Sequence, residues 1–232
     1  MRNFKIIDMK KLIVLSGNIG VELAVYGETL GNKMGYDWLP EDLFVSTFEK
    51  IHKSTKRDYC LLSLIENAVK KTIFINEQFL DGKDVLIIEK FILDELVKFQ
   101  ALMDSYTMEG YIEVYDGLIN LLDNICCDIE IEHLLIKKDP VVLKECNKKS
   151  QEYFKYMIHD EIIDNIDYFY DHQLLYKDIV IREIFSDNKN NEEILEELVV
   201  YVEGFVKSLN CKNRRLKNEK LNDFENDNVR GE

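Results

Sequence analysis

Small residues recur at steps of three and four near the start of the chain, and this run constrains the fold more than any other feature. The run comprises Gly17, Gly20, Ala24, Gly27, Gly31 and Gly35, and it holds half of the ten glycines of the protein. Positions three and four apart lie on one face of a helix. A face without side chains lets another helix approach closely, which offsets the cost of glycine in a helix, about 0.5–1 kcal/mol each. The run therefore predicts a helix over 12–35. Its small face, formed by Gly20, Ala24, Gly27 and Gly31, is expected to pack on another helix or to form a homodimer seam.

Hydrophobic residues continue at helical spacing along most of the chain, and strand-like alternation is rare. The predicted helices cover 41–54, 58–80, 84–106, 111–137, 141–158, 160–172, 174–186 and 191–210. Short β-leaning runs at 73–75 and 85–88 lie inside longer helical patterns, so they are interpreted as helix. Apolar residues become scarce after Lys212. The sequence predicts an all-α, single-domain helical bundle of roughly seven to nine helices over 1–210, followed by a short flexible polar tail over 211–232.

Composition limits the classes of function. The net charge of −14 argues against general affinity for nucleic acid or for an anionic membrane. The five cysteines form no CxxC pair, their number is odd, and the adjacent Cys126 and Cys127 are unsuited to a disulfide, which favours reduced thiols in a cytoplasmic protein. No apolar stretch has the length of a membrane span. Scarce alanine, proline and arginine beside abundant isoleucine, lysine and asparagine indicate an AT-rich bacterial or phage genome.

One short string has a recognisable relative. Residues 15–20, LSGNIG, resemble the opening of the phosphate loop of deoxynucleoside kinases, where a strand runs into a GNIG turn. A Walker loop continues with Gly, Lys and Ser/Thr, which wrap the phosphates, neutralise them and hold magnesium. Glu22, Leu23 and Ala24 stand in those positions, and the Glu22 carboxylate would repel a phosphate. The small-residue helix is therefore the preferred interpretation of these glycines, and we predict no nucleotide site.

Two Glu-x-x-His motifs suggest a metal site. Glu49 precedes His52, and Glu130 precedes His133, each by three residues. On a helix this spacing directs both side chains to one side, as in four-helix di-iron carboxylate proteins. The competing interpretation of His133 is a buried, hydrogen-bonded core histidine. The alternative function is therefore a metal-dependent enzyme with Fe, Mn or Zn at a carboxylate–histidine site; otherwise no cofactor is predicted.

Acidic residues also recur at helical spacing near residue 165. The stripe consists of Asp160, Asp164, Asp167 and Asp171, with Tyr168 among them. At 100° per residue the carboxylates point away from the apolar side of the helix. The stripe is interpreted either as a solvated face or as a face that binds a partner.

Together these patterns predict an acidic helical binding or regulatory protein that acts through protein–protein contact. Regulators, immunity or antitoxin-like proteins and inhibitors of nucleic-acid enzymes belong to this class. The acidic surface favours a basic protein partner. No direct contact with nucleic acid or membrane and no catalytic residue is predicted, and a homodimer is an open alternative.

Overall fold

A parallel β-sheet with helices on both faces lies at the centre of the molecule. The computed structural model describes residues 9–44, 57–104, 112–126, 129–149, 160–172 and 180–207. The strands are β1 (Lys10–Gly17), β2 (Asp37–Leu39), β3 (Val85–Glu89), β4 (Ile129–Lys137) and β5 (Val180–Phe185). The helices are α1 (Leu23–Met34), a 3-10 turn (Glu41–Phe44), α2 (Arg57–Leu80), α3 (Ile92–Asp104), α4 (Ile112–Cys126), α5 (Pro140–Lys149), α6 (Asp160–His172) and α7 (191–207).

The strands follow the order β2-β3-β1-β4-β5, and every neighbouring pair is parallel. β1 is central and buried on both faces. Its residues Leu12 and Val14 pack with α2, α3 and α4 on one face. Ile13 and Leu15 pack with α1 and α7 on the other face. Burial on both faces explains why β1 is a continuous apolar run rather than an alternating one.

The predicted helix over 12–35 is wrong, because the segment is a strand, a turn and a helix in succession. Gly20 lies in the turn with a φ of 96°, outside any helix. Gly27 and Gly31 are in α1, but the residue packed on them is Trp38 of strand β2, not a second helix. Ala24 is exposed on α1. The small residues of α1 therefore make room for an aromatic ring on the sheet.

The all-α bundle is wrong for the same reason at three further places. The predicted helix 84–106 contains β3, 111–137 contains β4, and 174–186 contains β5. A buried parallel strand appears in the sequence as a short apolar run, and hydrophobic periodicity alone does not distinguish such a run from a buried helical segment. The helix over 160–172 is confirmed, and α2 agrees with 58–80 to within one residue. Most of 41–54, the end of 141–158 and the tail over 211–232 lie outside the described residues.

Candidate functional site

The carboxyl ends of the five parallel strands lie at one edge of the sheet, and the chain changes its winding direction beside β1. After β1 the chain builds β2 and β3 on one side, and it then crosses to build β4 and β5 on the other. In open α/β sheets ligands bind in the crevice outside the carboxyl ends of the strands at such a switch point. The candidate site therefore comprises the loop after β1 and the residues that follow β2 and β3.

Several backbone amides in and next to the loop over 18–22 donate hydrogen bonds to acceptors within the loop. The amide of Ile19 donates to Asn18 Oδ1 at 2.7 Å. The amide of Val21 donates to the Asn18 carbonyl at 3.2 Å, and that of Leu23 donates to the Val21 carbonyl at 2.9 Å. A phosphate-binding loop instead directs its backbone amides at the anion. These three amides are therefore not directed at a common ligand.

Helix α6 holds this loop from the side. Asn18 Nδ2 donates to the Ile163 carbonyl at 2.9 Å, and the Asn18 side chain is buried. Ile19 packs on an apolar cluster that includes Ile162 and Ile166 of α6. The Tyr170 hydroxyl lies 3.5 Å from the Gly17 carbonyl. The loop is thus fixed to α6 by polar and apolar contacts.

The residues that follow the turn do not fit a magnesium–triphosphate group. Leu23, at the position of the Walker lysine, is only 1% exposed and packs in the core with Ile13 and Leu15. Ala24 has no hydroxyl to bind a metal, and Glu22 is exposed with no side-chain capping bond to α1. A Walker loop needs an ammonium and a hydroxyl here. This loop lacks both and adds a negative charge.

Four side chains form a buried polar network beneath the loop. Asp94 accepts hydrogen bonds from the Tyr170 hydroxyl at 2.5 Å, the Ser16 hydroxyl at 3.1 Å and the Phe91 amide at 2.8 Å. His133 Nδ1 lies 3.1 Å from Ser16 Oγ. Because the single Ser16 proton goes to Asp94, His133 must donate from Nδ1. The network ties together β1, β4, α3 and α6.

The outer nitrogen of His133 is left without a partner. Its Nε2 is buried and makes no hydrogen bond. Burial lowers the pKa of His133 to about 4, although the nearby Asp94 carboxylate opposes the shift. His133 is therefore a neutral donor to Ser16 near neutral pH. Burial, together with Asp94, raises the pKa of Tyr170 well above its ordinary value, so Tyr170 also stays protonated.

A second cluster, at the ends of β2 and β3, is made of charged residues. Glu41 accepts hydrogen bonds from Lys90 at 2.9 Å and Lys98 at 3.0 Å. Burial opposes ionisation, but the charges of Lys98 and Lys90 hold the pKa of Glu41 well below its usual range. Glu41 and Glu95 raise the pKa of Lys98 despite its burial. Behind this trio Lys71 pairs with Glu95 at 3.0 Å, with both side chains fully buried.

This charged cluster keeps unused hydrogen-bond acceptors. Glu95 Oε2 is buried without a hydrogen-bond partner, and so is Asn67 Oδ1, which lies one helical turn before Lys71 on α2. Buried acceptors of this kind cost about 1–3 kcal/mol each unless a partner is supplied. The cluster therefore has the chemistry to accept hydrogen bonds from a ligand and to donate one from Lys71.

A cavity of about 180 Å³ lies on the other flank of the loop. Its lining includes Val21, Glu22, Tyr26, Lys138, Lys189 and Asn191. Tyr26 donates to Asn191 Oδ1 at 2.9 Å, which joins the first turns of α1 and α7. The lining carries charges of both signs.

The structure separates the residues of the predicted metal site. Glu130 and His133 lie on β4, where residues three apart point to opposite faces of the sheet. Glu49 and His52 lie outside the described residues. Among the residues that the structure describes, no three His, Cys, Asp or Glu side chains are grouped to hold a metal ion. The helical geometry assumed for Glu130 and His133 is therefore wrong.

The acidic stripe lies on α6, as predicted, and two of its members make ion pairs. Asp164 pairs with Lys144 at 2.5 Å, and Asp171 pairs with Lys137. Burial raises the pKa of Asp167, and the neighbouring carboxylates add to the shift while Lys137 opposes it. Tyr168 is half exposed and stacks on His172 with ring centroids 3.9 Å apart. The proposal of a partner face formed by Asp160 and these residues stays a prediction.

Sequence analysis missed most of the groups that meet at the carboxyl edge. The missed residues are Glu41, Lys71, Lys90, Asp94 and Lys98. They come from distant segments, and each alone is an ordinary residue type. The available signal was the β-leaning run at 85–88. As a buried strand, that run would have made the polar residues after it candidates for the site.

Comparison with solved structures decides the fold class. A deoxyadenosine kinase from M. mycoides, solved with dCMP and dCDP, superposes with a TM-score of 0.58 at 13% identity, covering 83% of this chain and 99% of that one. The same kinase with bound dATP gives a TM-score of 0.56 at 12% identity, covering 83% and 99%. The chain has the fold of a deoxyadenosine kinase. YorR protein from Bacillus subtilis, in complex with phosphorylated GDP, gives 0.50 at 17% identity, covering 85% and 98%.

At these identities the similarity shows the fold alone, and no family model or curated protein sequence matches the chain. The kinase-like fold overturns the predicted helical protein that acts by protein–protein contact. The alternative, a carboxylate–histidine metal enzyme in a helical bundle, has no support either. Within the described part of the chain, no helix combines the length and apolar character of a bilayer crossing.

Proposed function

We propose that this protein binds a nucleoside, or its monophosphate, at the carboxyl edge of β2 and β3. We further propose that its loop after β1 does not hold a nucleoside triphosphate in the Walker manner. The observation that carries the proposal is the contrast between the two halves of the site. The charged cluster around Glu41 and Lys71 is held together by ion pairs. The loop, in contrast, has neither the lysine nor the hydroxyl of a Walker loop, and the side chain of Leu23 is buried in the core.

A nucleobase fits the unused groups of the charged cluster. Exocyclic amino groups donate hydrogen bonds, and Glu95 Oε2 and Asn67 Oδ1 are buried acceptors without a hydrogen-bond partner. Ring nitrogens and carbonyls accept hydrogen bonds, and Lys71 is a buried donor. The kinase from M. mycoides was solved with adenine and cytosine nucleotides, both of which carry such amino groups. We therefore expect a preference for amino-bearing bases.

The residues of the loop after β1 do not fit a magnesium–triphosphate group. The positions that would bind a magnesium–triphosphate are Leu23 and Ala24, and neither side chain fits. A cytoplasmic location is part of the proposal, supported by an odd number of cysteines, which favours reduced thiols.

One observation favours a second candidate function, phosphoryl transfer from a nucleoside triphosphate that is not bound in the Walker manner. The Glu41 side chain is 31% exposed, is kept ionised by its neighbours and lies within 3.0 Å of two ammonium groups. A carboxylate can accept the proton of an attacking hydroxyl, and cations stabilise the charge of the transferred group. In this candidate the Glu41 carboxylate orients the attacking hydroxyl by accepting its hydrogen bond, and Lys90 and Lys98 hold the carboxylate in place.

Isothermal titration calorimetry tests the first candidate. The titrants are deoxyadenosine, deoxycytidine, their keto counterparts deoxyinosine and deoxyuridine, the 5′-monophosphate of each, and magnesium–ATP. We expect the amino-bearing nucleosides to bind at least about tenfold more tightly than the keto nucleosides, and magnesium–ATP to bind weakly. Absence of binding by every nucleoside and nucleoside monophosphate would sink the proposal.

Asn67→Leu is the sharpest variant for this experiment. It removes an acceptor that has no partner in the protein, so the free energy of unfolding should stay constant or rise while nucleoside affinity falls. Asn120→Leu, at an exposed position of α4, is the matched control. For the second candidate, transfer of the γ-phosphoryl group of ATP to the bound nucleoside is assayed with Glu41→Gln, and Asp42→Asn serves as its exposed control.

A further inference from the structure

Two consecutive residues at the end of β3 both reach Glu41, which a continuing strand would not allow. The Glu41 amide donates to Glu89 Oε2 at 3.1 Å, and the Lys90 ammonium donates to the Glu41 carboxylate at 2.9 Å. Successive side chains of a strand point to opposite faces of the sheet. Lys90 instead has a φ of 53°, in the left-handed region, so the chain turns sharply between β3 and α3. The turn brings both side chains to the same neighbour.

The backbone of Lys90 is strained. In the part of the chain that the structure describes, Lys90 is the only residue other than glycine with a positive φ. For a residue with a side chain, the left-handed conformation is disfavoured by about fivefold or more. Strained residues persist only where surrounding contacts hold them, and they cluster at functional sites. One such contact is the hydrogen bond from the Lys90 amide to the Leu15 carbonyl at 2.9 Å.

Asp94 holds the other side of this turn. Its Oδ2 accepts the amide of Phe91, the residue directly after Lys90, at 2.8 Å. In a capping box a Ser or Thr side chain at the helix start shares this task, but the Phe91 side chain is apolar and buried. Asp94 is itself fully buried, and hydrogen bonds from Ser16 and Tyr170 fix its carboxylate. The turn after β3 is therefore anchored on a carboxylate that cannot move freely.

We propose that Asp94 is the positioning residue of the charged cluster. Through the Phe91 amide it holds Lys90 in the left-handed conformation, and this conformation places the Lys90 ammonium on Glu41. Asp94 does not touch the ligand in this role. The consequence for nucleoside binding rests on the proposed function, whereas the consequences for the turn and for Glu41 do not.

Paired substitutions at position 90 test the backbone conformation. Lys90→Ala and Lys90→Gly both remove the ammonium, but only glycine adopts a positive φ without strain. In urea denaturation of the otherwise wild-type chain, the glycine variant should have a folded-to-unfolded ratio about fivefold higher. Asp94→Ala releases the turn, so this advantage should disappear in that background. Equal stability of the two variants in the wild-type chain overturns the proposal, and so does a glycine advantage that survives Asp94→Ala. Asp94→Leu, which fills the space of the carboxylate, takes the place of Asp94→Ala should that variant not fold.

NMR titration of the Glu41 carboxyl carbon gives a second readout. Although burial opposes ionisation, Lys98 and Lys90 hold the pKa of Glu41 well below its ordinary value. In Asp94→Ala the Lys90 ammonium should leave Glu41, and the pKa of Glu41 should rise by about one pH unit. Loss of the Asp94 charge alone would lower that pKa, so a rise reports the movement of Lys90. An unchanged or lower pKa overturns the proposal.

Two control variants separate positioning from a general loss of stability. Asp94→Asn keeps an oxygen for the Phe91 amide and can turn its amide group towards the Tyr170 oxygen. Tyr170→Phe removes another hydrogen bond of Asp94 without touching the turn. Both variants should preserve the glycine advantage at position 90 and the low pKa of Glu41. Loss of either property in these variants overturns the proposal.

Calorimetry with deoxyadenosine connects the turn to the proposed function. Asp94→Ala should weaken binding about tenfold or more because the charged cluster is misplaced, and Asp94→Asn should restore it. A wild type that binds no nucleoside refutes the proposed function, and the denaturation and NMR readouts then still support or overturn the role of Asp94. In a wild type that does bind, equal affinity of Asp94→Ala overturns the connection between the turn and the ligand.

Discussion

The indole of Trp38 lies directly on the backbone of Gly27. A Cβ added at Gly27 would stand 2.3 Å from Trp38 Cη2, closer than carbon atoms of packed residues come to one another. One turn later, a Cβ at Gly31 would lie 3.0 Å from the Tyr36 carbonyl oxygen. The close approach packs α1 on β2, the short edge strand of the sheet. Glycine is therefore required at position 27 because of the ring above it.

We expect Gly27→Ala to lower the free energy of unfolding by about 1–3 kcal/mol, because the indole must move out of its packed position. Gly117→Ala is the control, since a Cβ there meets nothing within 4 Å in helix α4. That control should be neutral or stabilise by up to about 1 kcal/mol. Urea denaturation measures both variants. Equal effects of the two substitutions would show that Trp38 does not restrict position 27.

The same glycines show why the sequence predicted the wrong fold. Steps of three and four run across a strand, a turn and a helix, and the spacing does not reveal where one element ends. Gly17 ends β1, Gly20 supplies a positive φ to the turn, and Gly27 receives an aromatic ring. Three physical requirements produced one apparent period. The amphipathic helices α2, α6 and α7 have a single requirement each, an apolar face, and were found.

The candidate site was predictable only in part. The resemblance of residues 15–20 to a strand and a GNIG turn was set aside in favour of a helix, which is wrong, whereas the objection raised by Glu22, Leu23 and Ala24 agrees with the buried side chain of Leu23. The lack of a Walker lysine and hydroxyl did not exclude a strand–turn–helix unit, because the backbone of such a unit does not depend on those side chains. The pairing of Lys71 with Glu95 depends on how α2 packs on α3, and the spacing of residues in the sequence does not predict that packing.

Leu23→Lys should destabilise the protein and should not create a phosphate site. Leu23 packs with the core beneath α1, so a lysine there loses apolar contacts and brings a charge towards the interior. We expect a loss of about 2–4 kcal/mol in the free energy of unfolding. Val25→Lys on the same helix is half exposed and should change stability by less than about 0.5 kcal/mol. A Leu23→Lys variant of wild-type stability that gains ATP affinity would refute a structural role for Leu23.

Lys71 and Glu95 should behave as a coupled buried pair. Lys71→Met leaves the Glu95 carboxylate buried beside only the more distant Lys98, 3.8 Å away, and should cost about 3–5 kcal/mol. The double variant K71M/E95L removes both charges and should recover much of that loss. Lys70→Met breaks the partly exposed pair with Glu66 on the same helix and should cost less than about 1 kcal/mol. A double-mutant cycle by urea denaturation measures the coupling, and additive effects would contradict it.

His133 should make the stability of the protein depend on pH in mildly acidic solution. Its pKa falls from 6.5, the ordinary value that the unfolded chain keeps, to about 4 in the folded protein. Between these values the unfolded chain binds a proton that the folded protein does not, so acidification favours unfolding. The His133 contribution is complete above pH 6.5 and is lost as the pH falls through the folded pKa, a change of up to about 3 kcal/mol.

His133→Gln keeps an amide donor for Ser16 but removes the titrating group. The free energy of unfolding, measured in urea between about pH 4 and 7, should therefore depend less steeply on pH, by roughly 1.4 kcal/mol per pH unit in the middle of that interval. His172→Gln, which removes an exposed imidazole from α6, is the control substitution. Equal slopes for His133→Gln and the wild type would show that the folded and unfolded chains bind protons at His133 alike, which contradicts a pKa lowered by burial.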